Sequence, residues 1–191
     1  MNEEAPRGKL VVFSAPSGGG KSTIIHALRE RFPHMRFSVS STTRSRRNGE
    51  VDGVDYDFLT REQFLEKVEE GDFIEYEEVH GQLYGTRRSR VEQDLRAGRD
   101  IIFDIDVLGA LTLKKVYPEA LLVYIDVPSV EVLRERLVNR GREEIEEIER
   151  RLTRYQFERD KAERFDHIVV NDDLDTAVEE VAEILESYGI G

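Results

Sequence analysis

The apolar run LVVF at residues 10 to 13 is followed by SAPSGGGKST and then, without a break, by the helix-like IIHALRERF. This succession of strand, glycine-rich turn and helix constrains the fold more than anything else in the chain. The pattern GxxxxGK[ST] lets backbone N–H groups curl round a phosphate at a helix N-terminus, where unpaired donors and the helix dipole both favour an anion. Ala15 stands where the pattern has its first glycine, a position that demands less of the backbone than Gly18 or Gly20. Ala15, Pro16, Ser17, Gly18, Gly19, Gly20, Lys21, Ser22 and Thr23 are therefore expected to hold a nucleoside triphosphate. Lys21 would reach the β- and γ-phosphates, and the Ser22 hydroxyl would ligate Mg2+. The competing reading is a glycine-rich turn with an incidental lysine.

Three further apolar runs, IIFDI (101–105), LLVYIDV (121–127) and HIVV (167–170), look like buried strands. Near-continuous apolar strands suit a parallel sheet covered on both faces. Amphipathic stretches at 22–32, 87–97, 108–116, 130–139, 143–163 and 174–188 separate them and predict helices. The expected fold class is α/β: a P-loop kinase core with a parallel sheet flanked by helices. Residues 36–86 break the rhythm. RFSVS, DYDFL and DFIEYEEV have strand character, with turns at NGEVDG and HGQLYG. Thr60 and Gln63 form a capping box for a helix that Gly71 ends, so this segment is expected to be an inserted α+β lobe. A second, heavily charged helical insertion is expected at about 129–154. The core would then be 8–35, 87–128 and 155–188, with a short tail at 1–7.

The formal net charge of -12 argues against broad binding to nucleic acid or anionic membranes. With no cysteine there is neither a disulfide framework nor a thiol nucleophile. MNEEAPRGK lacks the apolar core of a signal peptide, and no run of 18 apolar residues occurs. The expectation is a soluble, cytoplasmic protein with no evident obligate protein partner. Against that acidity, SSTTRSRRNG (40–49) puts Arg44, Arg46 and Arg47 on a short polar loop. Mutually repelling cations on such a loop usually have an anion to hold. A GTPase would carry a base-reading NKxD after a late strand, where this chain has NDD at 171–173. A small P-loop protein with two inserted lobes, one rich in arginine, fits a nucleoside monophosphate kinase.

FSVSSTTRSRRNGEVDGVDYDFL, FIEYEEVHGQLYGT, IIFDIDVLGA, RLVNRGRE and IVVNDDLDTA together closely resemble guanylate kinase, in order and spacing, from about Gly8 to Tyr188. The resemblance implies transfer of the γ-phosphoryl of ATP to GMP or dGMP, with Mg2+. It implies that 36–86 is the GMP-binding lobe and that 129–154 is a lid. Arg44 and Arg47 match phosphate-clamping arginines, whose forked donors suit a dianion. Tyr56 and Tyr84 match tyrosines that bond the same phosphate. Glu75 matches the guanine reader, Ser40 and Thr86 match hydroxyl partners of the base, and Asp104 and Asp106 match a pair between nucleoside and metal. Arg136, Arg140 and Arg151 match arginines that neutralise the transferring phosphoryl, and Asn171 matches a position near adenine. Leu108 departs from the family, which commonly has glutamine there. Two other readings stay open: a non-catalytic relative that binds phosphorylated protein segments, and a kinase for another monophosphate.

Overall fold

The computed structural model describes residues 7–79, 81–139 and 145–190. Strand β1 (Leu10–Ser14) is buried along its whole length. Leu10 and Val12 join one apolar cluster, and Val11 and Phe13 join another on the opposite face. A strand covered on both faces has no polar side, which is why LVVF is unbroken. Helix α1 (Lys21–Arg31) begins after Gly20, whose φ of 90° lies in the left-handed region that glycine enters at no steric cost. It is followed by β2 (Arg36–Phe37), β3 (Ser41–Thr42) and β4 (Asp57–Phe58). Helix α2 (Arg61–Glu69) carries the expected capping box. Thr60 Oγ accepts from the Gln63 N–H at 3.2 Å, and Gln63 Oε1 accepts from the Thr60 N–H at 2.9 Å. Strands β5 (Phe73–Val79) and β6 (Gln82–Arg87) follow, with Phe73 stacked on Phe64 of α2.

The chain then alternates: α3 (Arg88–Arg96), β7 (Ile101–Asp104), α4 (Val107–Val116) and β8 (Leu121–Asp126). Helices α5 (Val130–Asn139) and α6 (Ile145–Ala162) precede β9 (His167–Val170) and α7 (Leu174–Ser187). The main sheet has the order β2-β7-β1-β8-β9, and every pairing in it is parallel. Phe13 of β1 lies opposite Asp104 of β7, so the phosphate loop and the acids after β7 leave the sheet side by side. The carboxyl edge of a parallel sheet, near a change of strand order, is where α/β folds hold ligands. A second sheet, β4-β3-β6-β5, stands apart from the first.

Two expectations need correction. RFSVS does not supply a strand to the inserted lobe: β2 takes only Arg36–Phe37 and pairs with β7 in the main sheet. HGQLYG is not wholly a turn, because Gln82–Arg87 form β6 and the reversal falls at Gly81, φ 78°. Gly85 resembles turn punctuation but serves close packing. A Cβ there would sit 2.8 Å from the Glu75 carbonyl oxygen and from side-chain atoms of Phe73 and Tyr76. Helix α6 runs unbroken past Arg154, in keeping with the amphipathic stretch expected at 143–163.

Helices α5 and α6 share a small apolar cluster of their own, built from Val127, Leu133, Leu137, Ile148, Leu152 and Tyr155. Buried Asp126 ties this pair to the end of β8. Its Oδ1 accepts from the Tyr155 hydroxyl at 3.0 Å and from the Val127 N–H at 2.9 Å, and its Oδ2 lies 2.5 Å from Arg159 Nε.

Candidate active site

The phosphate loop is closed by a turn from the Gly19 N–H to the Pro16 carbonyl at 2.9 Å. At its start, Ser14 Oγ donates to the Ile105 carbonyl at 2.6 Å, which fixes the loop against the segment bearing Asp104 and Asp106. Lys21 is largely buried and forms an ion pair with Asp104. The loop also touches the α5–α6 pair: Arg151 of α6 donates to Ser17 Oγ, and Leu133 and Leu137 of α5 close over Gly18. A Cβ at Gly18 would meet those leucines at 3.2 and 3.3 Å.

Across the cleft, register sets which residues of the second sheet meet. Glu75 of β5 pairs with Thr86 of β6, and the Thr86 hydroxyl donates to Glu75 Oε1 at 2.6 Å. Burial pushes the Glu75 carboxyl above the usual carboxylate range, against the Thr86 bond and with help from the nearby charges of Glu77 and Asp106. Tyr56 and Tyr84 meet edge to face, with ring centroids 6.2 Å apart, and the Arg44 guanidinium lies over the Tyr56 ring. Arg44 grips Glu50 with both arms of its fork, at 2.7 and 3.0 Å, and the Arg47 N–H donates to the same carboxylate at 2.7 Å. Those bonds, the Arg44 contact first, pull the Glu50 carboxyl down to about 2.

Between the two sides lies a cleft of about 960 Å³. Of the residues singled out from sequence, its wall carries Ala15, Pro16, Ser17, Gly18, Gly20, Lys21, Ser22, Thr23, Ser40, Tyr56, Glu75, Tyr84, Asp104, Asp106 and Arg151. Others stand behind or beside it. Thr86 is buried beneath Glu75, Gly19 is buried within the loop, and Arg44 and Arg47 lie beyond the wall in the arginine loop. Arg136 donates to the Asn171 carbonyl at 2.9 Å, and the buried Asn171 side chain donates to the Gly19 carbonyl at 2.8 Å. Arg140 lies outside the described residues.

Sequence reasoning missed three members of this network: Glu50, Arg154 and Glu158. Arg154 Nε donates to Glu158 Oε1 at 2.7 Å and its Nη2 lies 3.3 Å from Asp106 Oδ2. The other oxygen of Asp106 caps α4 by accepting from the Gly109 N–H at 2.8 Å. Glu158 is buried, which raises its carboxyl against the opposing pull of Arg154. The Arg154–Glu158 spacing of four was visible on a predicted helix, whereas the reach to Asp106 was not. Leu108 lines the cleft and is half exposed.

Mg2+ fits this donor set. Among the described residues no three His, Cys, Asp or Glu side chains gather as a metal cage. Ser22, Asp104 and Asp106 do line the cleft, and Mg2+ with a nucleotide keeps several waters and needs only one or two protein ligands beside phosphate.

A glycine-rich loop at the centre of a parallel sheet, opening on a cleft opposite an arginine- and tyrosine-bearing lobe, defines a small P-loop kinase. The guanylate kinase family model matches residues 7–188. The guanylate kinase of Chlorobium luteolum is 48% identical over 190 residues, covering 98% of this chain and 96% of that protein. That of Thermotoga maritima is 46% identical over 181 residues, covering 95% and 87%. A crystal structure of guanylate kinase from Anaplasma phagocytophilum superposes with a TM-score of 0.71 at 32% identity, over 96% of this chain and 87% of that one. The chain belongs to the guanylate kinase family. Among the described residues no helix is long and apolar enough to cross a membrane.

Proposed function

We propose that this chain transfers the γ-phosphoryl of ATP to GMP, and to dGMP, giving ADP and GDP or dGDP. One observation carries the reading: a single cleft joins the phosphate loop to Glu75, Tyr56 and Tyr84, so donor and acceptor would meet beside the Lys21–Asp104 pair. The acceptor is a phosphate oxygen already ionised near neutral pH, so the reaction needs no general base. Catalysis then rests on alignment and on stabilising charge.

Lys21 and the backbone N–H groups of the loop hold the donor phosphates. Arg151 waits at Ser17 on the other side, where it can follow the charge of the transferring group. Glu75 accepts from guanine N1–H and the 2-amino group, a pair of donors that adenine lacks. Arg44, Arg47, Tyr56 and Tyr84 hold the GMP phosphate. When bound with ATP, Mg2+ offsets charge on the β- and γ-phosphates; Ser22, with Asp104 or Asp106 through water, would hold it. In this reading 36–86 and 129–154 close over the cleft and exclude water, which limits hydrolysis of ATP. The proposed setting is the cytoplasm, with small-molecule substrates and no nucleic acid or membrane.

The test is ADP formation from MgATP with GMP, dGMP, AMP, CMP and UMP offered separately. Turnover with the guanine nucleotides alone is expected. Binding of a phosphopeptide without any turnover would instead assign the chain to the non-catalytic relatives.

A further inference from the structure

Asn171, just beyond β9, is buried at 6% exposure and does not line the cleft. Its Nδ2 donates to the Gly19 carbonyl at 2.8 Å, across 152 residues of sequence. Only an N–H can donate to a carbonyl, so the chemistry itself orients the amide. The residue is held from both sides: its N–H donates to the Asp126 carbonyl at 2.9 Å, and its carbonyl accepts from Arg136 Nη2 at 2.9 Å. The contact is also close enough to exclude any side chain at Gly20. A Cβ there would lie 2.2 Å from Asn171 Nδ2.

The peptide between Gly19 and Gly20 is planar and trans, so its C=O and N–H point in opposite directions. Drawing the Gly19 carbonyl down onto Asn171 turns the Gly20 N–H the other way. Gly20 is on the cleft wall, in the loop that cradles phosphate. We propose that Asn171 is a positioning residue for the donor site: it aims the Gly20 N–H at the bound triphosphate and does so without touching the nucleotide. This rests on the reading of residues 15–23 as the ATP phosphate site. It also differs from the role near adenine that the family resemblance implies, because one side-chain N–H is taken by the loop and the buried amide does not line the cleft.

A base-free ligand separates the two roles. Binding of MgATP and of magnesium tripolyphosphate is measured by calorimetry for the wild type and Asn171→Ala. Asn171→Leu, close in volume and without a donor, serves should the alanine variant not fold. Both ligands are expected to weaken by a similar factor, about tenfold or about 1.4 kcal/mol, with GMP binding unchanged. In the wild type, tripolyphosphate should shift the NMR resonance of the Gly20 amide. A loss confined to MgATP, equal losses for GMP, no loss at all, or an unmoved Gly20 resonance would each overturn the inference. A wild type that binds neither MgATP nor tripolyphosphate would remove the phosphate-site reading as well.

Discussion

Replacing Glu75 by glutamine exchanges one carboxylate oxygen for an NH₂ and so turns an acceptor into a donor. Thr86 Oγ donates to Glu75 Oε1 at 2.6 Å, so the glutamine keeps its carbonyl oxygen toward Thr86 and turns its NH₂ toward the guanine edge. There it faces the N1–H and 2-amino donors of the substrate, and a charge-assisted bond becomes a clash of donors. Losing a hydrogen bond to a charged group costs about 1.5–3 kcal/mol, which is about a 10- to 150-fold fall in kcat/KM for GMP. Stability should not fall with it, because burial already disfavours the charged carboxylate in the folded chain. Inosine monophosphate lacks the 2-amino group, so it should be a poor substrate for the wild type and lose proportionally less in the variant. The acid side of the pH profile offers a second readout. In the proposed role the carboxylate is the form that binds guanine, and a raised pKa moves its loss to higher pH. For the wild type, kcat/KM for GMP should therefore fall on acidification from above the usual carboxylate range, and that limb should be missing in the variant. Steady-state kinetics of both proteins on both substrates, beside thermal unfolding, is the assay. Equal proportional losses on GMP and inosine monophosphate would refute the reasoning.

Lys21→Met should leave the thermal transition near the wild-type value and reduce phosphoryl transfer by several orders of magnitude; coupled measurement of ADP formation checks this, and near-normal turnover would count against the phosphate-loop assignment. Arg44→Ala should weaken GMP binding about tenfold or more while sparing ATP, since it removes the forked donors proposed to hold the phosphate; calorimetric titration with each nucleotide decides. The Glu50 carboxyl sits at about 2 in the folded chain, below its unfolded value. Its contribution is present above the ordinary carboxylate pKa and lost as pH falls toward 2, so Glu50→Gln should flatten that part of an acid-unfolding curve. Asp126→Ala strands the Tyr155 hydroxyl and Arg159; discounted for the partial exposure of Arg159, the loss should be about 3 kcal/mol, or about 6–12 °C in Tm by calorimetry.

The core strands were legible because each is covered on both faces, a condition that writes itself as an apolar run of the right length. The phosphate loop was legible for a different reason: its glycines are demanded by backbone geometry at Gly18 and Gly20. The strands of the second sheet were less so. Ser41–Thr42 is a strand only because Asp57–Phe58 and Tyr84–Gly85 lie alongside, and no local pattern encodes those partners. Glu75 was one of several acids on its strand until the family resemblance singled it out. What makes it distinctive is burial and the register that sets Thr86 opposite, both tertiary facts. Asn171 shows the same limit, since nothing near NDD announces that its amide reaches the phosphate loop.

Any anion that reaches Arg44 meets a guanidinium whose fork is already filled by Glu50, a carboxylate tethered six residues away. Tethering gives that carboxylate a high effective concentration, so a freely diffusing sulfate or orthophosphate competes at a disadvantage. In the proposed reading a nucleotide competes differently, because its base and phosphate are tethered to one another and a bound purine would hold the phosphate in place while Glu50 yields. In that reading the loop would thereby act as a filter on molecularity, favouring an anion that arrives attached to the right base over the same anion free in solution.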